Sequence, residues 1–353
     1  MPIFNIGQSN PYKTPVLDAS YPANVTLIQQ TGGSATFEVK IATAGIPDEY
    51  TYQWYVNDSA VSGATSNRYT KTGLTSIATY TVYCKVTNRA GTVQSRSAVL
   101  AVQSAQPIYT YSGSAVLIDD GNYNYRIKFL TSGTLKFSHL GCMTNGINVF
   151  CVGGGGGAGM SGGGGGYTTT GSAAISANTS YSIVIGAGGA GQSGYFGKTD
   201  ANTVQGGTTS AFNVSAGGGY NGGAGRSNPG GGNGGSGGSY VGSSNHGGSD
   251  GSNSSDPTYP GIGQGRTTRE FGESSGTLYA GGGGGGNQSN WSDWGGLGGD
   301  GGGGRGTQGG SRGTDGTPNT GGGGGGGYNG LDEVPSSGGG NGGSGIVVIR
   351  NKR

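Results

Sequence analysis

Few side chains in this sequence have the types and spacing that chemistry requires. His139 and His246 are the only histidines. The first falls in a strand-like segment, the second in a polar glycine loop, and neither has partners at metal-ligand spacing. The stretch "GQSGYFGKT", residues 191–199, approaches a phosphate loop. The glycine needed five residues before Gly197 is Gln192, however, and no helical pattern follows. "GGLGGDGGG", residues 295–303, partly matches a calcium-binding nonapeptide, but its apolar position is Gly302 and the motif does not recur. Paired carboxylates for glycoside hydrolysis would have to come from Asp250, Asp256, Glu270, Glu273, Asp293, Asp300 or Asp315. All lie in polar loops, where carboxylates are ordinarily just solvated, and no nucleophile stands in an elbow context. No catalytic residue, metal or cofactor is expected.

The aromatic side chains are better placed for recognition. Trp291 and Trp294 flank Asp293 in "NQSNWSDWGGLGG", and Tyr259 stands in "SSDPTYPGIG". Arg269, Phe271 and Tyr279 fall in "RTTREFGESSGTLYAGG", and Tyr240 and His246 in "GGSYVGSSNHGG". Two roles are open to them. They can cap a glycine-rich structure and shield it from water. They can also be rigid anchors of a binding surface, around which Ser, Asn and Gly adapt. Sugars would suit such a surface.

What must position these residues is unusual in composition. Of 353 residues, 87 are glycine, and twelve of these precede Gly153. An ordinary first part is therefore followed by one that is more than a third glycine. Charged residues are 10% and the net charge is +2, too little for a nucleic-acid footprint. The three cysteines, Cys84, Cys142 and Cys151, do not make a disulfide framework, and reduced, partly buried thiols are expected. The opening "MPIFNIGQSNPYK" has no basic region leading into an apolar run, so no secretory leader is expected. No stretch approaches 18 apolar residues, so no membrane insertion is expected.

Residues 1–22 carry Pro2, Pro11, Pro15 and Pro22, which argues for an extended, docked arm rather than helix or interior strand. Residues 23–104 alternate with period two. Ala35, Phe37, Val39 and Ile41 share one face, as do Tyr52, Trp54 and Val56, and Tyr80, Val82, Cys84 and Val86. Residues 105–353 form the glycine-rich domain. Its β-framework spans 107–215 and 345–350. "YNYRIKFLTSGTLKFSHL" predicts two strands about the turn "TSGT", "GINVFCV" a strand buried on both faces, and "TTSAFNVSAGGG" one further strand. The final "GSGIVVIRNKR" restores an apolar strand, so the glycine-rich stretch, mainly 216–344, is inserted between strands that become neighbours.

Runs such as 153–157, 162–166, 281–286 and 321–327 raise the question of tether or element. Glycine favours polyproline-II geometry, with three residues per turn and no internal hydrogen bonds. Buried in that form, its amides and carbonyls need partners, and parallel or antiparallel runs of the same kind supply them. The lattice would need dozens of bonds at about 0.5–1.5 kcal/mol each to offset glycine's ordering entropy, so it forms cooperatively or not at all.

Two stretches resemble known families. "YQWYVNDSAVSGATSNRYT" and "TYTVYCKVTNRAG" are similar to immunoglobulin-like modules of phage virion and bacterial surface proteins. The usual first cysteine is absent, with Phe37 or Val39 in its place, which leaves Cys84 free beside Trp54. "SGTLKFSHL…INVFCVGGGGGAG…GGSGIVVIR", within residues 120–353, resembles the glycine-rich domain of phage and bacterial surface proteins. It also resembles, more distantly, a glycine-rich region of anaplastic lymphoma kinase receptors. The resemblance implies an all-β chain: an Ig-like sandwich, then a β-framework carrying a polyglycine-II lattice. It further implies an outward-facing virion protein, assembled in the host cytoplasm, of the tail-fibre or tail-tip adhesin kind. Such a protein would bind a host-surface glycan or protein through loops and other virion proteins through its arm and sandwich, with oligomerisation possible. A capsid-decorating fibre without a ligand, and a polysaccharide hydrolase, are the alternatives.

Overall fold

Period-two alternation lets a strand bury one face, and the first part of the chain folds on that principle. The computed structural model describes residues 11–30, 32–192, 203–223, 230–242, 244–287, 295–307, 311–328 and 337–352. The described chain is almost entirely β and divides into two units, Met1–Gln106 with Gly121–Tyr123, and Pro107–Asp120 with Asn124–Arg353.

The first unit contains β1 Val16–Leu17, β2 Val25–Ile28, β3 Ala35–Glu38, β4 Ile41–Thr43, β5 Thr51–Val56, β6 Ser59–Ala60, β7 Arg68–Lys71, β8 Ala78–Asn88, β9 Gly91–Gln94 and β10 Ala98–Gln103. One sheet has the order β2-β10-β8-β5-β6, with β9 on β8 and the β2–β10 pair parallel; β3 and β7 pair separately. The two layers close on one core as a β-sandwich. Ala35 and Phe37 pack against Trp54, Val82, Cys84 and Leu100 in one core. Trp54 is fully buried, so its indole N–H needs an acceptor, and it donates to the Ser66 carbonyl at 2.8 Å. Trp54 sits opposite Cys84 in register, and the Phe37 ring lies 6.5 Å from the Trp54 ring. Packing stands where a disulfide would. Cys84 is free, and burial pushes its thiol up to about 11. The arm docks through β1, which pairs with β4, and through a Lys13–Ile46 bridge.

The second unit contains β11 Ile108–Tyr111, β12 Ala115–Gly121, β13 Asn124–Phe129, β14 Gly133–His139, β15 Ile147–Val152, β16 Thr168–Ala173, β17 Ser180–Val184, β18 Thr209–Ala211, β19 Val214–Ala216 and β20 Ile346–Asn351. Its sheets have the orders β11-β14-β17-β18-β19 and β12-β13-β20-β15-β16. Ile127, Phe129, Leu135, Phe137, Val149 and Ile349 fill one interior. The carboxy-terminal strand β20 lies between β13 and β15, so the inserted stretch does return the chain to a neighbouring strand. Phe150 and Val152 of β15 join Ile346, Val348, Tyr279 and Ala280 in a second cluster, which explains why β15 is apolar on both faces.

The structure corrects one sequence expectation and refines two others. The two strands expected about "TSGT" form as β13 and β14, and they belong to different sheets, so the turn closes no hairpin. Ile127 and Phe129 thereby join Leu135 and Phe137 in one two-sheet core, whereas a hairpin would put all four on one sheet. "TTSAFNVSA" is two strands, because Phe212 and Asn213 adopt φ of 52° and 63° and reverse the chain between β18 and β19. Most of the glycine lattice lies in 216–344, and the early runs within 153–166 pass through its interior, with 186–192 and 203–207 bordering them.

The lattice has the predicted threefold screw. Along 153–158, successive amides donate to Tyr167, Gly207, Gly343, Gly164, Val204 and Gly340 at 2.8–3.0 Å. Every third amide thus meets the same neighbouring pass, as three residues per turn require. The 162–167 pass repeats the pattern, donating to Ser239, Gly324, Tyr220, Ser236, Gly321 and Gly217. Runs pair both ways: Gly281 and Gly284 meet the parallel pass at Gly301 and Gly304, and Gly282 and Gly285 meet the antiparallel pass at Gly248 and Asn245. Between the hydrogen bonds the passes approach closely. A Cβ on Gly155 would stand 2.0 Å from the Gly322 carbonyl oxygen, and one on Gly283 would stand 1.8 Å from that of Gly324. Both obstacles are backbone, so no side-chain rotation could relieve them.

Candidate binding surface

A threefold screw turns every third residue of an outer pass towards water, and the lattice places non-glycine side chains at those positions. Leu297 and Asp300 are exposed three residues apart. Their amides donate to His246 Nδ1 at 2.9 Å and to Ser249 Oγ at 2.7 Å, so the two passes advance in step. Accepting at Nδ1 leaves the His246 proton on Nε2. On another part of the surface, Tyr220 donates its amide to Asn233 at 2.7 Å, while Gly231 and Gly234 donate to Tyr259 and Ile262 at 3.3 and 3.0 Å. These three adjacent passes expose Tyr220, Asn233, Tyr259 and Ile262 side by side.

The Tyr259 corner is held rigidly. Asp256 is buried, and its Oδ1 accepts the amides of Thr258 and Tyr259 at 2.6 and 2.9 Å. Its Oδ2 accepts from Asn245 Nδ2 at 2.8 Å, and the same nitrogen reaches the Val241 carbonyl at 3.2 Å. Asp256 thus ties both ends of the 241–259 segment together. The Tyr240 and Tyr259 rings meet edge to face, 5.5 Å apart at 70°. Tyr259 remains 48% exposed, which leaves much of its ring for a partner.

Arg269, Phe271 and Tyr279 do not join this surface. Tyr279 is 3% exposed, and both its ring and that of Phe271 pack on Phe150, at 5.5 and 5.9 Å. Phe271 and Tyr279 are thus packed against β15. Between them the buried Glu270 carboxylate accepts from Arg126, from Lys128 Nζ at 3.0 Å and from the Tyr279 hydroxyl at 3.1 Å. Burial, then the Glu270 charge, pushes the Tyr279 phenol well above its usual range. Arg350 stacks on the Phe271 ring at 4.0 Å and pairs with Glu273 at 2.6 Å. Arg269 pairs with Asp250 at 3.1 Å. Burial raises the Asp250 pKa, but Thr267, the Thr268 amide and Arg269 outweigh it, and the net shift is downward. The 268–280 segment is in effect riveted to β13 and β20 by charge.

Each described carboxylate of the hydrolase set has a place in the fold. Asp250, Glu270 and Glu273 serve the rivets, Asp256 the aromatic corner, and Asp315 pairs with Arg312 at 2.9 Å; Asp300 stands exposed on an outer pass. Among the described residues no group of three or more His, Cys, Asp or Glu side chains is placed to hold a metal ion. Trp291, Asp293 and Trp294 lie outside the described residues. Tyr220, Asn233, Ile262 and Leu297 were missed as surface residues. The signal that would have found them is three-residue spacing between non-glycines, as in "YPGIG" and "GGLGGDGG".

Compared with protein-family models, residues 132–352 match the glycine-rich domain family. A search of curated proteins finds no match.

Proposed function

The chain belongs to the glycine-rich domain family, and from that premise we propose that it is a structural surface-display protein of a phage virion, an adhesin of the tail-fibre or tail-tip kind. Its ligand is a host-surface glycan or protein. It engages that ligand through the face of Tyr220, Asn233, Tyr259 and Ile262, with Tyr240 behind Tyr259. The arm and sandwich hold it to other virion proteins. The observation that carries the reading is the rigid corner at Tyr259. An exposed aromatic held by a buried Asp256 and a ring contact contributes area on binding and loses little entropy. The virion assignment draws on the resemblance of residues 120–353 to phage surface proteins.

The experiment is binding of fluorescently labelled full-length protein to host cells, comparing the parent with a Tyr259→Ala, Ile262→Ser double variant. Both positions are exposed, so the fold should survive, which circular dichroism would verify. Loss of binding by at least about ten-fold is expected, equivalent to about 1.4 kcal/mol. Unchanged binding would remove this face from the reading. If the parent itself binds no host cell but still joins the particle, the protein is a capsid decoration instead.

A further inference from the structure

The second unit also holds a cleft of about 240 Å³ where the 268–280 segment lies against β12, β13 and β20. Arg350 of β20 lines this cleft and is 8% exposed. Its Nη2 donates to Glu273 Oε1 at 2.6 Å, but its buried Nε has no hydrogen-bond partner among the described residues. A buried donor left unpaired is costly, so an acceptor that reaches it gains the full worth of a charged hydrogen bond. Nε and Nη2 share one edge of the guanidinium, the edge that takes a carboxylate through two parallel hydrogen bonds. Glu273 uses half of that edge. The Phe271 ring lies 4.0 Å from the guanidinium and covers one of its faces, which fixes the plane and leaves the edge as the binding side.

The remaining charges set the charge of what can enter. Arg126 pairs with Asp120 at 2.9 Å and with Glu270, and Lys128 pairs with Glu270 at 3.0 Å. Asp120 and Glu270 are committed to these partners, with side chains only 17% and 2% exposed. Glu273 differs, because its side chain is 48% exposed and can turn into water. With Glu273 turned out, Arg126, Lys128 and Arg350 face only the carboxylates of Asp120 and Glu270. One positive charge is then unbalanced, and a monoanion balances it. A phosphate dianion would set a second negative charge beside Asp120 and Glu270.

We propose that this cleft is a binding site for a small hydroxycarboxylate, gated by Glu273. The ligand's carboxylate takes Nε and Nη2 of Arg350 together while Glu273 moves to solvent. Its hydroxyl meets Ser275 and Thr277 at the rim. Both side chains line the cleft, are exposed, and make no hydrogen bond within the described protein. The cleft is smaller than the usual range of about 300–1,000 Å³ for small-molecule sites, which restricts the ligand to a few heavy atoms. Binding makes and breaks no covalent bond; one carboxylate replaces another on Arg350.

NMR titration of the full-length protein, isotope-labelled at arginine and followed at the arginine Nε–H signals, tests this. The probes are lactate, acetate and inorganic phosphate at constant ionic strength. Arg350→Lys deletes one signal and thereby assigns it. Lactate should shift the Arg350 signal saturably with a Kd of about 1–10 mM, as so small a ligand allows. Acetate, without the hydroxyl, should bind more weakly, and phosphate should not bind. Glu273→Gln, at an exposed position, removes the competing charge and should tighten lactate binding by at least about five-fold, because the open state no longer has to be won from an internal carboxylate. A purely structural Glu273 would give no such gain. No saturable shift in either the parent or Glu273→Gln, lactate binding no tighter than acetate or phosphate, or Glu273→Gln without tightening would overturn the proposal.

Discussion

The sandwich and the glycine lattice are both buried interiors, and they follow opposite packing rules. In the sandwich, Trp54, Phe37 and Leu100 exclude water with bulk, and the backbone pairs at the edges of what they fill. In the lattice, 153–166 are buried throughout with only Ala158, Met160 and Ser161 departing from glycine, and the backbone itself is the filling. The first interior gains from apolar area at roughly 25 cal/mol per Å². The second gains from amide hydrogen bonds on all sides, with Cα hydrogens directed at carbonyl oxygens between them. The sandwich is therefore damaged by removing atoms and the lattice by adding them.

That contrast can be broken most sharply at Gly283. Gly283→Val places a branched side chain where a Cβ alone would stand 1.8 Å from the Gly324 carbonyl. A loss of more than about 4 kcal/mol is expected, confined to the second unit. The two buried thiols report on it separately. Burial raises Cys151 to about 12 and Cys84 to about 11, so neither reacts until its own unit opens. In a Cys142→Ser background, Gly283→Val should expose Cys151 to a thiol reagent at denaturant concentrations where Cys84 stays protected. Labelling of neither would show the lattice to be looser than its geometry.

The reverse experiment is Leu100→Ala in the sandwich, which should cost about 2–5 kcal/mol through lost burial and a residual cavity. Cys84 should now label first, with Cys151 unmoved. If both label together, the two interiors unfold as one and the comparison fails.

The smallest effect sharpens the rule of the threefold screw. Leu297 is a lattice residue but faces outward at 48% exposure. Leu297→Ala should change stability by no more than about 0.5 kcal/mol, seen as a nearly unchanged melting temperature. A large drop would mean that outward positions carry packing that the screw does not assign to them.

Much of the side-chain-packed structure was legible in the sequence. Alternation placed Phe37, Trp54, Val82 and Cys84 on inward faces, and the doubly apolar "INVFCV" marked a central strand. The partner sheets of β13 and β14 were not legible, because alternation fixes which face is buried and not against what. The candidate surface was half legible. Aromatics in bare loops singled out Tyr240 and Tyr259, but the same reasoning also chose Phe271 and Tyr279, which pack on Phe150. Local composition is alike in the two places; what differs is the charged seating of 268–280 around Glu270, made with Arg126 and Lys128 from far along the chain.

By itself the sequence determined the kinds of order present: sandwich strands from period two, a screw of three from glycine, and no side chain able to fill the space between the passes. Only the tertiary structure decided which pass lies beside which, and so which every-third residue meets water. A run of glycines has no side chain to distinguish one register from the next. Its neighbours are chosen instead by non-glycine contacts at the edges, such as Asn233 to Ile262, Ser249 to Asp300 and Asp315 to Asn341, which form only once distant parts of the chain have met.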